Sequence, residues 1–375
     1  AESPHAINLI ENLISFIVGA GMVFTVARAD ADDKTIDDGT IAKVQRSLDA
    51  IVEATRAVAG QRRVSFAERQ REIVRRAVRD GEVFVRQFLR PDGGYDLRFI
   101  EPEHVRAPAG GSSGNASFGV ETAPGDAETA VAYHIGAGTV GTVESVSADE
   151  VHHLKVNVDA NAKRGVPTLW SIRSNLYRAD KLLRNISVIG TVQSSIAWIR
   201  KIKNASVQTV KTFADTKASG SDTDPMTGES IRLEQARPGR IITQGDNIEN
   251  EFPSAQFRAD TLLPAYEAEL RAAAARVVMP EFMFTSDASN AAKASSIVSE
   301  GPTHKMLQRL QGDYGAFFVG ILAPGLAWAA ENGAFAPEVL AKVTITFTGP
   351  EVMSRDPLAA AEANNILHQA GVLST

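Results

Sequence analysis

Residues 165–200 read GVPTLWSIRSNLYRADKLLRNISVIGTVQSSIAWIR and carry the clearest helical pattern in the sequence. Proline suits the first turn of a helix, so Pro167 marks the expected start. Apolar side chains then recur every three or four positions, the spacing of one helix face: Leu169, Ile172, Leu176, Ala179, Leu183 and Ile186. We predict a helix from Pro167 to Arg200, roughly 50 Å long at about 1.5 Å per residue, bent at Gly190.

The opposite face of this predicted helix is basic, because Arg178, Lys181 and Arg184 lie there. Twelve basic and three acidic residues lie between Lys155 and Lys217, although the whole chain has a net charge of −6. A face of this kind is solvated, pairs with another subunit or binds nucleic acid. We find no interleaved aromatic residues, which argues against stacking on bases.

The length and composition exclude several classes of protein. With 375 residues the chain exceeds what one hydrophobic core organises, so two or more folding units are expected. Hydrophobic residues at 44% and charged residues at 22% exclude a disordered chain and a coiled-coil rod. The chain has no cysteine, which excludes disulfides, thiolate metal sites and a cysteine nucleophile, and suits a reducing compartment.

Local patterns predict an α+β fold. The apolar run at residues 13–27 is shorter than the roughly 20 residues that a bilayer core requires, so we expect it to be buried. Ser65 and Glu68 form a capping-box pattern that begins a helix. The sequence Asp92-Gly93-Gly94 marks a hairpin turn between alternating strands. Residues 204–255 are polar and β-like, and Pro324 is expected to kink or end a late helix.

Two motifs match known binding sites, but the secondary structure predicted around them does not fit those sites. Gly136-Ala137-Gly138-Thr139-Val140-Gly141 matches the dinucleotide fingerprint, yet the β-branched residues after it predict a strand where the fingerprint needs a helix N-terminus. His152 and His153 are consecutive on a predicted strand and therefore point to opposite faces, which disfavours a shared metal ion. The sequence contains no P-loop, so ATP hydrolysis would belong to a partner.

Several segments, in order, resemble the lambda-type portal proteins of tailed bacteriophages. They are NLISFIVGAGMV near the N-terminus, VRDGEVFVRQF followed by LRFIEPEHV, VAYHI, VSADEVHHL, RGVPTLWSIRSNLYRADKL, VVMPEFMFTSDASNAAKASS and FTGPEVMSRDPLAAAEANNILHQAGVLST. Together they span almost the whole chain. Ala291 and Ala292 replace the tyrosine and serine usual in the family, and the chain stops soon after Gly371, where an extension is expected.

The resemblance implies a portal-type subunit with an α/β wing, two stem helices flanking a small β-containing clip, and a C-terminal helical wing and crown region. The implied regions are the N-terminal wing at residues 1–165, the first stem helix at 166–203, the clip at 204–256, the second stem helix at 257–279, the tunnel loop at 280–296, and the wing helix and start of the crown at 297–375.

The resemblance also implies a function. The chain would form a ring, typically a dodecamer, at the unique capsid vertex of the virion, as the channel for DNA packaging and DNA ejection. Its implied partners are double-stranded DNA, the terminase packaging motor, the head-tail adaptor and the major capsid protein, after assembly in the host cytoplasm. It would be no enzyme and would hold no cofactor or metal. The implied DNA-facing residues are Ser289, Asn290, Lys293 and Ser295.

Charge placement leads to two further expectations. An acidic balance suits a channel through which DNA slides, because each phosphate contact adds salt-dependent affinity. The stem basic face of Arg178, Lys181 and Arg184 either pairs with acidic residues of a neighbouring subunit or contacts DNA. Two alternatives stay open: an NAD(P)-binding oxidoreductase that uses Gly136 to Gly141, and another head-tail connector or capsid subunit that lacks the paired helices.

Overall fold

The computed structural model divides into two compact units, Ala1–Leu176 with Leu270–Thr375, and Tyr177–Glu269. It describes residues 3–30, 35–53, 64–90, 94–107, 115–136, 143–195, 199–202, 206, 208, 221–223, 230–232, 248–251, 262–287 and 293–352. Helices and strands are mixed in the chain, which confirms the predicted α+β class.

The described residues form seven α-helices and thirteen strands. The helices are α1 Pro4–Ile17, α2 Asp38–Glu53, α3 Phe66–Asp80, α4 Arg173–Ser195, α5 Leu263–Arg276, α6 Glu281–Thr285 and α7 Lys293–Glu331. The strands are β1 Val23–Arg28, β2 Glu82–Leu89, β3 Tyr95–Ile100, β4 Ala116–Ser117, β5 Val120–Thr122, β6 Ala130–Gly136, β7 Val143–Ser147, β8 Val151–Lys155, β9 Ile199–Ile202, β10 Ser221–Thr223, β11 Ser230–Arg232, β12 Ile248–Glu251 and β13 Val343–Thr348.

The larger unit contains three antiparallel sheets. One has the order β3-β2-β8, a second the order β4-β5-β6-β7, and the third pairs β1 with β13. The expected hairpin is confirmed, because β2 pairs with β3 from Leu89 opposite Tyr95 to Phe84 opposite Ile100. Phe84, Val120, Tyr133 and Val146 form a core between the first two sheets. In the smaller unit β9 pairs with β12 and β10 with β11.

Most large apolar side chains of the N-terminal run are buried, as expected, although Val23 is 64% exposed. It is divided between the end of α1 and strand β1, and the turn between them contains Gly19 and Gly21 at positive φ. Gln45 of α2 accepts from the Val26 N–H at 2.7 Å and donates to the Phe24 carbonyl at 3.2 Å. This amide therefore occupies the edge of β1 that does not face β13 and protects it from pairing with another strand.

The predicted capping box is present at the start of α3. The Glu68 N–H donates to Ser65 Oγ at 3.2 Å, and the Ser65 N–H donates to the Glu68 carboxylate at 2.8 Å. The helix ends at Gly81, whose φ of 89° lies in the left-handed region that glycine adopts without strain. Because Gly81 directly precedes β2, this turn sets where Glu82 enters the sheet.

The long helix α4 differs from the prediction at both ends. Residues Thr168–Ser171 form a 3-10 turn, α4 begins at Arg173 and ends at Ser195, and Ile199–Ile202 is a strand rather than the last turn of the helix. Apolar residues at 199 and 202 fit a short ladder with β12 as well as they fit a helix, so periodicity could not place the boundary.

Helix α7 continues through Pro324 to Glu331, so this proline does not end the helix. A proline lacks the amide that would bond to the carbonyl four residues earlier. Next to this opening, the Tyr95 hydroxyl donates to the Ile321 carbonyl at 2.6 Å. Gly325 makes room for the tyrosine, because an added Cβ would lie 2.9 Å from the Tyr95 ring.

By length and composition, residues Gly301–Glu331 of α7 could cross a membrane, but 44% of the apolar window is buried within the protein. The buried side chains include Leu307, Phe318, Ile321, Leu322 and Leu326. A central helix of a soluble core has the same composition. We therefore interpret α7 as a core helix.

We predict that Tyr95→Phe destabilises the larger unit by about 1 to 2 kcal/mol, because it leaves the buried Ile321 carbonyl without its hydroxyl donor. Thermal unfolding followed by circular dichroism measures the change. Tyr177→Phe is the matched control, since Tyr177 is 70% exposed and should leave the unfolding temperature unchanged. Equal unfolding temperatures for the two variants would contradict the prediction.

Candidate functional site

The predicted stem residues Arg178, Lys181 and Arg184 all lie on α4 and are exposed. Arg178 forms a bidentate pair with Glu269 of α5, with Nε to Oε1 at 2.6 Å and Nη2 to Oε2 at 3.0 Å. Its hydrogen bond to Glu269 raises the pKa of Arg178. Arg178 therefore joins two helices of its own subunit, and its charge is largely neutralised there.

Lys181 and Arg184 differ from Arg178, because neither forms an ion pair or a hydrogen bond with any residue that the structure describes. Exposed residues recur on the same side of the chain at helical spacing. We call this set the α4 outer face: Trp170, Arg173, Tyr177, Lys181, Arg184 and Val188. It combines three unpaired charges with large apolar side chains in contact with solvent.

Aromatic residues therefore do alternate with basic ones, contrary to the sequence-based expectation. The Arg173 guanidinium lies 3.5 Å from the centroid of the Trp170 ring, a cation–π contact. Trp170 is 57% exposed, Tyr177 70% and Val188 59%. The alternation was missed because Leu169, rather than Trp170, was assigned to the buried face, and the 3-10 turn shifts the side chains that precede Arg173.

A buried ionic cluster fixes the chain where it leads into α4. The Arg164 guanidinium binds the Glu82 carboxylate, with Nη2 2.6 Å from Oε1. It also donates to three backbone carbonyls: Pro102 at 2.8 Å, Val105 at 2.9 Å and Phe118 at 2.9 Å. Arg164 thus binds segments that follow β3 and β4 as well as the first residue of β2.

Residues of β8 and of the loop after it also bind the Glu82 carboxylate. His153 Nε2 lies 3.3 Å from Glu82 Oε2, and the same oxygen accepts the Gly165 N–H at 3.1 Å. The His153 ring stacks on Phe84 with centroids 4.0 Å apart. Only 4% of the Glu82 side chain and 5% of the His153 side chain are exposed, so a buried charge is here fully hydrogen-bonded, as burial requires.

The pKa values follow from this arrangement. Burial by itself would raise the pKa of Glu82, but hydrogen bonds from His153 and Arg164, the Arg164 charge and the Gly165 N–H lower it to about 2. Burial lowers the pKa of His153, so the neutral ring donates its Nε2 proton to the carboxylate. His152 points to the opposite face, lies 2.9 Å from Gln87 Oε1, and has its pKa lowered to about 4 by burial.

The two histidines therefore do not share a metal, as the strand pattern predicted. No cluster of three histidine or carboxylate residues that could hold a metal occurs within the described ranges. From the sequence alone, Arg164 belongs to a basic segment and Glu82 has no predicted role. A signal was available in EVFVRQF, where one carboxylate begins a strand whose next three residues are buried.

The predicted tunnel-loop residues are only partly placed. Ser289 and Asn290 lie outside the described residues. Lys293 and Ser295 belong to the first turn of α7, and their side chains lie outside the described part, so their contact with DNA stays a prediction. The stretch AKASS favours helix, because alanine and lysine have high helix propensity.

Side-chain hydrogen bonds from another helix fix the segment that precedes these residues. The short helix α6 is flanked by Val278 at φ 52° and Ser286 at φ 61°. Asn8 of α1 donates to the Met283 and Phe284 carbonyls at 3.0 and 2.8 Å. These contacts satisfy carbonyls at the C-terminal end of α6.

Two other side chains complete this brace. Asn12 of α1 donates to the Met283 carbonyl at 2.8 Å, and the Thr303 hydroxyl donates to the Val278 carbonyl at 2.7 Å. Thr303 itself is only 2% exposed. The connector between α5 and α7 is therefore held at both ends by side chains that lie far from it in sequence.

The glycine fingerprint lies between two strands rather than between a strand and a helix. Gly136 is the last residue of β6 and pairs with Val143, the first residue of β7, in an antiparallel ladder. The four residues Ala137 to Val140 and the two after them lie outside the description, but the elements on both sides are strands. A pyrophosphate site requires the N-terminus of a helix after the loop, so the oxidoreductase alternative is wrong in its structural premise.

We predict that Glu82→Gln lowers the free energy of unfolding at pH 7 by roughly 3 kcal/mol, because it leaves a largely buried guanidinium without its carboxylate. The folded pKa of about 2 lies below the unfolded value near 4.5, so the stabilisation is present above pH 4.5 and lost as the pH falls towards 2. The variant should therefore show a smaller loss of stability over that window, as measured by urea titrations at several pH values.

Glu144→Gln is the matched control, since Glu144 pairs with Arg86 but 57% of its side chain is exposed. A surface pair contributes at most about 1 kcal/mol. Equal stability and equal pH dependence in the two variants would contradict the prediction that the buried ion pair contributes more to the free energy of unfolding than the surface pair.

Comparison with known proteins finds a family that matches most of the chain and solved structures with a similar fold. The family "Phage portal protein, lambda family" matches residues 1–310, and no curated protein sequence matches the chain. Among solved structures, the fold is similar to a chain of the "Neck of empty GTA particle computed with C6 symmetry", with a TM-score of 0.51, 14% identity, and coverage of 100% of this chain and 92% of that chain.

A second similar structure is an "HK97 Family Phage Portal Protein from Corynebacterium diphtheriae", with a TM-score of 0.41, 12% identity, and coverage of 96% of this chain and 95% of that chain. At such identities the structural likeness concerns the fold alone. The family match spans most of the chain, including the Glu82–Arg164 cluster, α4, α5 and the connector before α7. The chain belongs to the lambda family of phage portal proteins.

Proposed function

We propose that the chain assembles into a ring of about twelve subunits around an axial channel, at the unique vertex of the capsid, through which DNA is packaged and ejected. The observation that carries this proposal is the lambda-family portal match over residues 1–310. A particle neck among the similar structures, computed with C6 symmetry, supports rotational assembly. The role is structural, and the subunit supplies a channel and docking surfaces rather than a reaction.

Within this proposal, α4 and α5 are the two stem helices. The chain between them, residues 204–256, is the clip that meets the terminase motor and the head-tail adaptor. The wing comprises residues 1–165, and the part of the chain after residue 297 forms the wing helix and the start of the crown that contact the major capsid protein. The pair between Arg178 and Glu269, which joins the two stem helices, supports the assignment of α4 and α5.

We assign the tunnel loop to the residues between α6 and α7, with Lys293 and Ser295 at its helical end. The brace from Asn8 and Asn12 supports this assignment, because a loop that contacts moving DNA requires a fixed base. The net charge of −6 supports a channel wall that does not retain DNA.

We predict that the purified chain, analysed by native mass spectrometry, gives a complex of about 480 kDa, twelve times the chain mass of 40.1 kDa. Two-dimensional class averages from electron microscopy should show a ring with an open centre. A monomer or dimer at every salt concentration tested, with no ring formed in the presence of capsid or scaffold protein, would contradict the proposal.

We further propose that the α4 outer face contacts a neighbouring subunit rather than DNA. Large apolar side chains that are 57 to 70% exposed in the single chain favour a protein partner. Lys181 and Arg184 would then pair with acidic residues of that subunit, and a head-to-tail interface of this kind closes into a ring.

The double variant Lys181→Glu with Arg184→Glu tests this contact. We expect loss of the ring in native mass spectrometry while the circular dichroism spectrum is unchanged, because two like-charge contacts replace two ion pairs in every interface. Lys43→Glu with Arg46→Glu on α2 is the matched control, with the same charge change at the same spacing and exposure. Intact rings that package DNA poorly would instead assign the face to DNA.

A further inference from the structure

Arg69 of α3 is the most deeply buried arginine among the residues that the structure describes, with 9% of its surface exposed. Its Nε atom is buried and has no hydrogen-bond partner. Within the described ranges no carboxylate forms an ion pair with its guanidinium, and no carbonyl accepts from it. The contact that it does make is with the Phe99 ring, whose centroid lies 5.7 Å from its Cζ.

Such an arginine is exceptional, because a buried charge is normally paired or hydrogen-bonded. The neighbouring acids are already engaged by other arginines. Glu72 and Glu101 each lie 2.8 Å from Arg76, whose guanidinium is itself 4.7 Å from the Phe99 centroid.

The third acid, Asp96, is engaged in the same way. Its Oδ2 lies 3.3 Å from Arg90 Nε and 3.9 Å from Arg98 Nη2. Burial lowers the pKa of Arg69, and the charge of Arg98 lowers it further. Each of the three carboxylates is thus paired with another arginine, and the surplus positive charge falls on Arg69, the most buried of the four.

From this surplus we infer that the cluster binds one tetrahedral oxyanion of the phosphate class. We call it the Arg69 pocket, defined by Arg69, Arg76, Arg98 and Phe99. The planar fork of a guanidinium matches two oxygens of a phosphate, and an anion there would supply both a partner for the buried Nε and the missing negative charge. The side chain of Arg98, 41% exposed, leaves one side of the cluster open to solvent.

Two ligands contain a tetrahedral oxyanion of this class: free phosphate and the phosphodiester of nucleic acid. The enclosure of Arg69 favours a small free anion, because a duplex would have to present one phosphate beyond its own surface. A water molecule bound to the buried Arg69 Nε is the competing explanation. It predicts no dependence on phosphate.

Equilibrium dialysis of the full chain against radiolabelled phosphate, at constant ionic strength in sodium chloride, tests the proposal. We expect saturable binding of one phosphate per chain, and at ten times the dissociation constant about an elevenfold increase in the folding equilibrium constant. Arg69→Met should abolish the saturable binding. Arg46→Met, which removes an exposed arginine of α2, should retain it.

A short DNA duplex added to the dialysis distinguishes the sources. Displacement of the labelled phosphate assigns the pocket to a phosphodiester, and retention assigns it to the free anion. Absence of saturable binding to the wild-type chain overturns the proposal, whatever the fate of the variants. Equal binding by wild type and a folded Arg69→Met also overturns it. None of these outcomes depends on ring assembly, because the pocket lies within one subunit.

Discussion

The ion pair between Arg164 and Glu82 is the constraint on which the larger unit depends. One guanidinium binds a buried carboxylate and three backbone carbonyls from segments that lie between 46 and 62 residues away in sequence. Polar backbone groups near a core must all be hydrogen-bonded, and here one side chain satisfies three of them. The packing of Gly165 against Gly81 belongs to the same arrangement, since a Cβ at Gly165 would overlap the Gly81 carbonyl oxygen. Within the larger unit, the path of the chain at Arg164 and Gly165 is therefore set by charge and close backbone contact.

The two units differ in how many of their charged and polar groups have partners within the chain. Around Glu82 and Arg164, charges and carbonyls are paired within the subunit. Along α4, Lys181 and Arg184 have no partner among the described residues, and aromatic rings remain in solvent. A monomer gains nothing from such a face, because exposed apolar area is unfavourable and the charges are simply hydrated. The larger unit therefore pairs these charges internally, whereas the exposed face of α4 leaves its charges and rings to solvent.

The sequence predicted those features that depend on local rules. The Ser65 capping box, the hairpin near Gly93, the separation of His152 from His153 and the exclusion of a nucleotide loop after Gly136 all follow from short-range geometry. The end of α4 could not be predicted, because residues 199–202 fit a strand as well as a helix and only the ladder with β12 decides. The Glu82 cluster could not be predicted either, since its members come from positions 82, 153 and 164 and meet only when β2 pairs with β8. The resemblance to portal proteins supplied the global architecture that local patterns lacked.

The connector before α7 shows how distant residues can determine the geometry of a short segment. A β-branched residue such as Val278 in the left-handed region costs about 1 to 2 kcal/mol, and Ser286 adds a smaller cost. The hydrogen bonds from Asn8, Asn12 and Thr303 each contribute about 0.5 to 1.5 kcal/mol and offset that strain. The conformation is therefore imposed by α1 and α7 rather than chosen by the connector's own sequence. The position of the chain at Met283 and Phe284 is thus fixed by side chains from outside the connector.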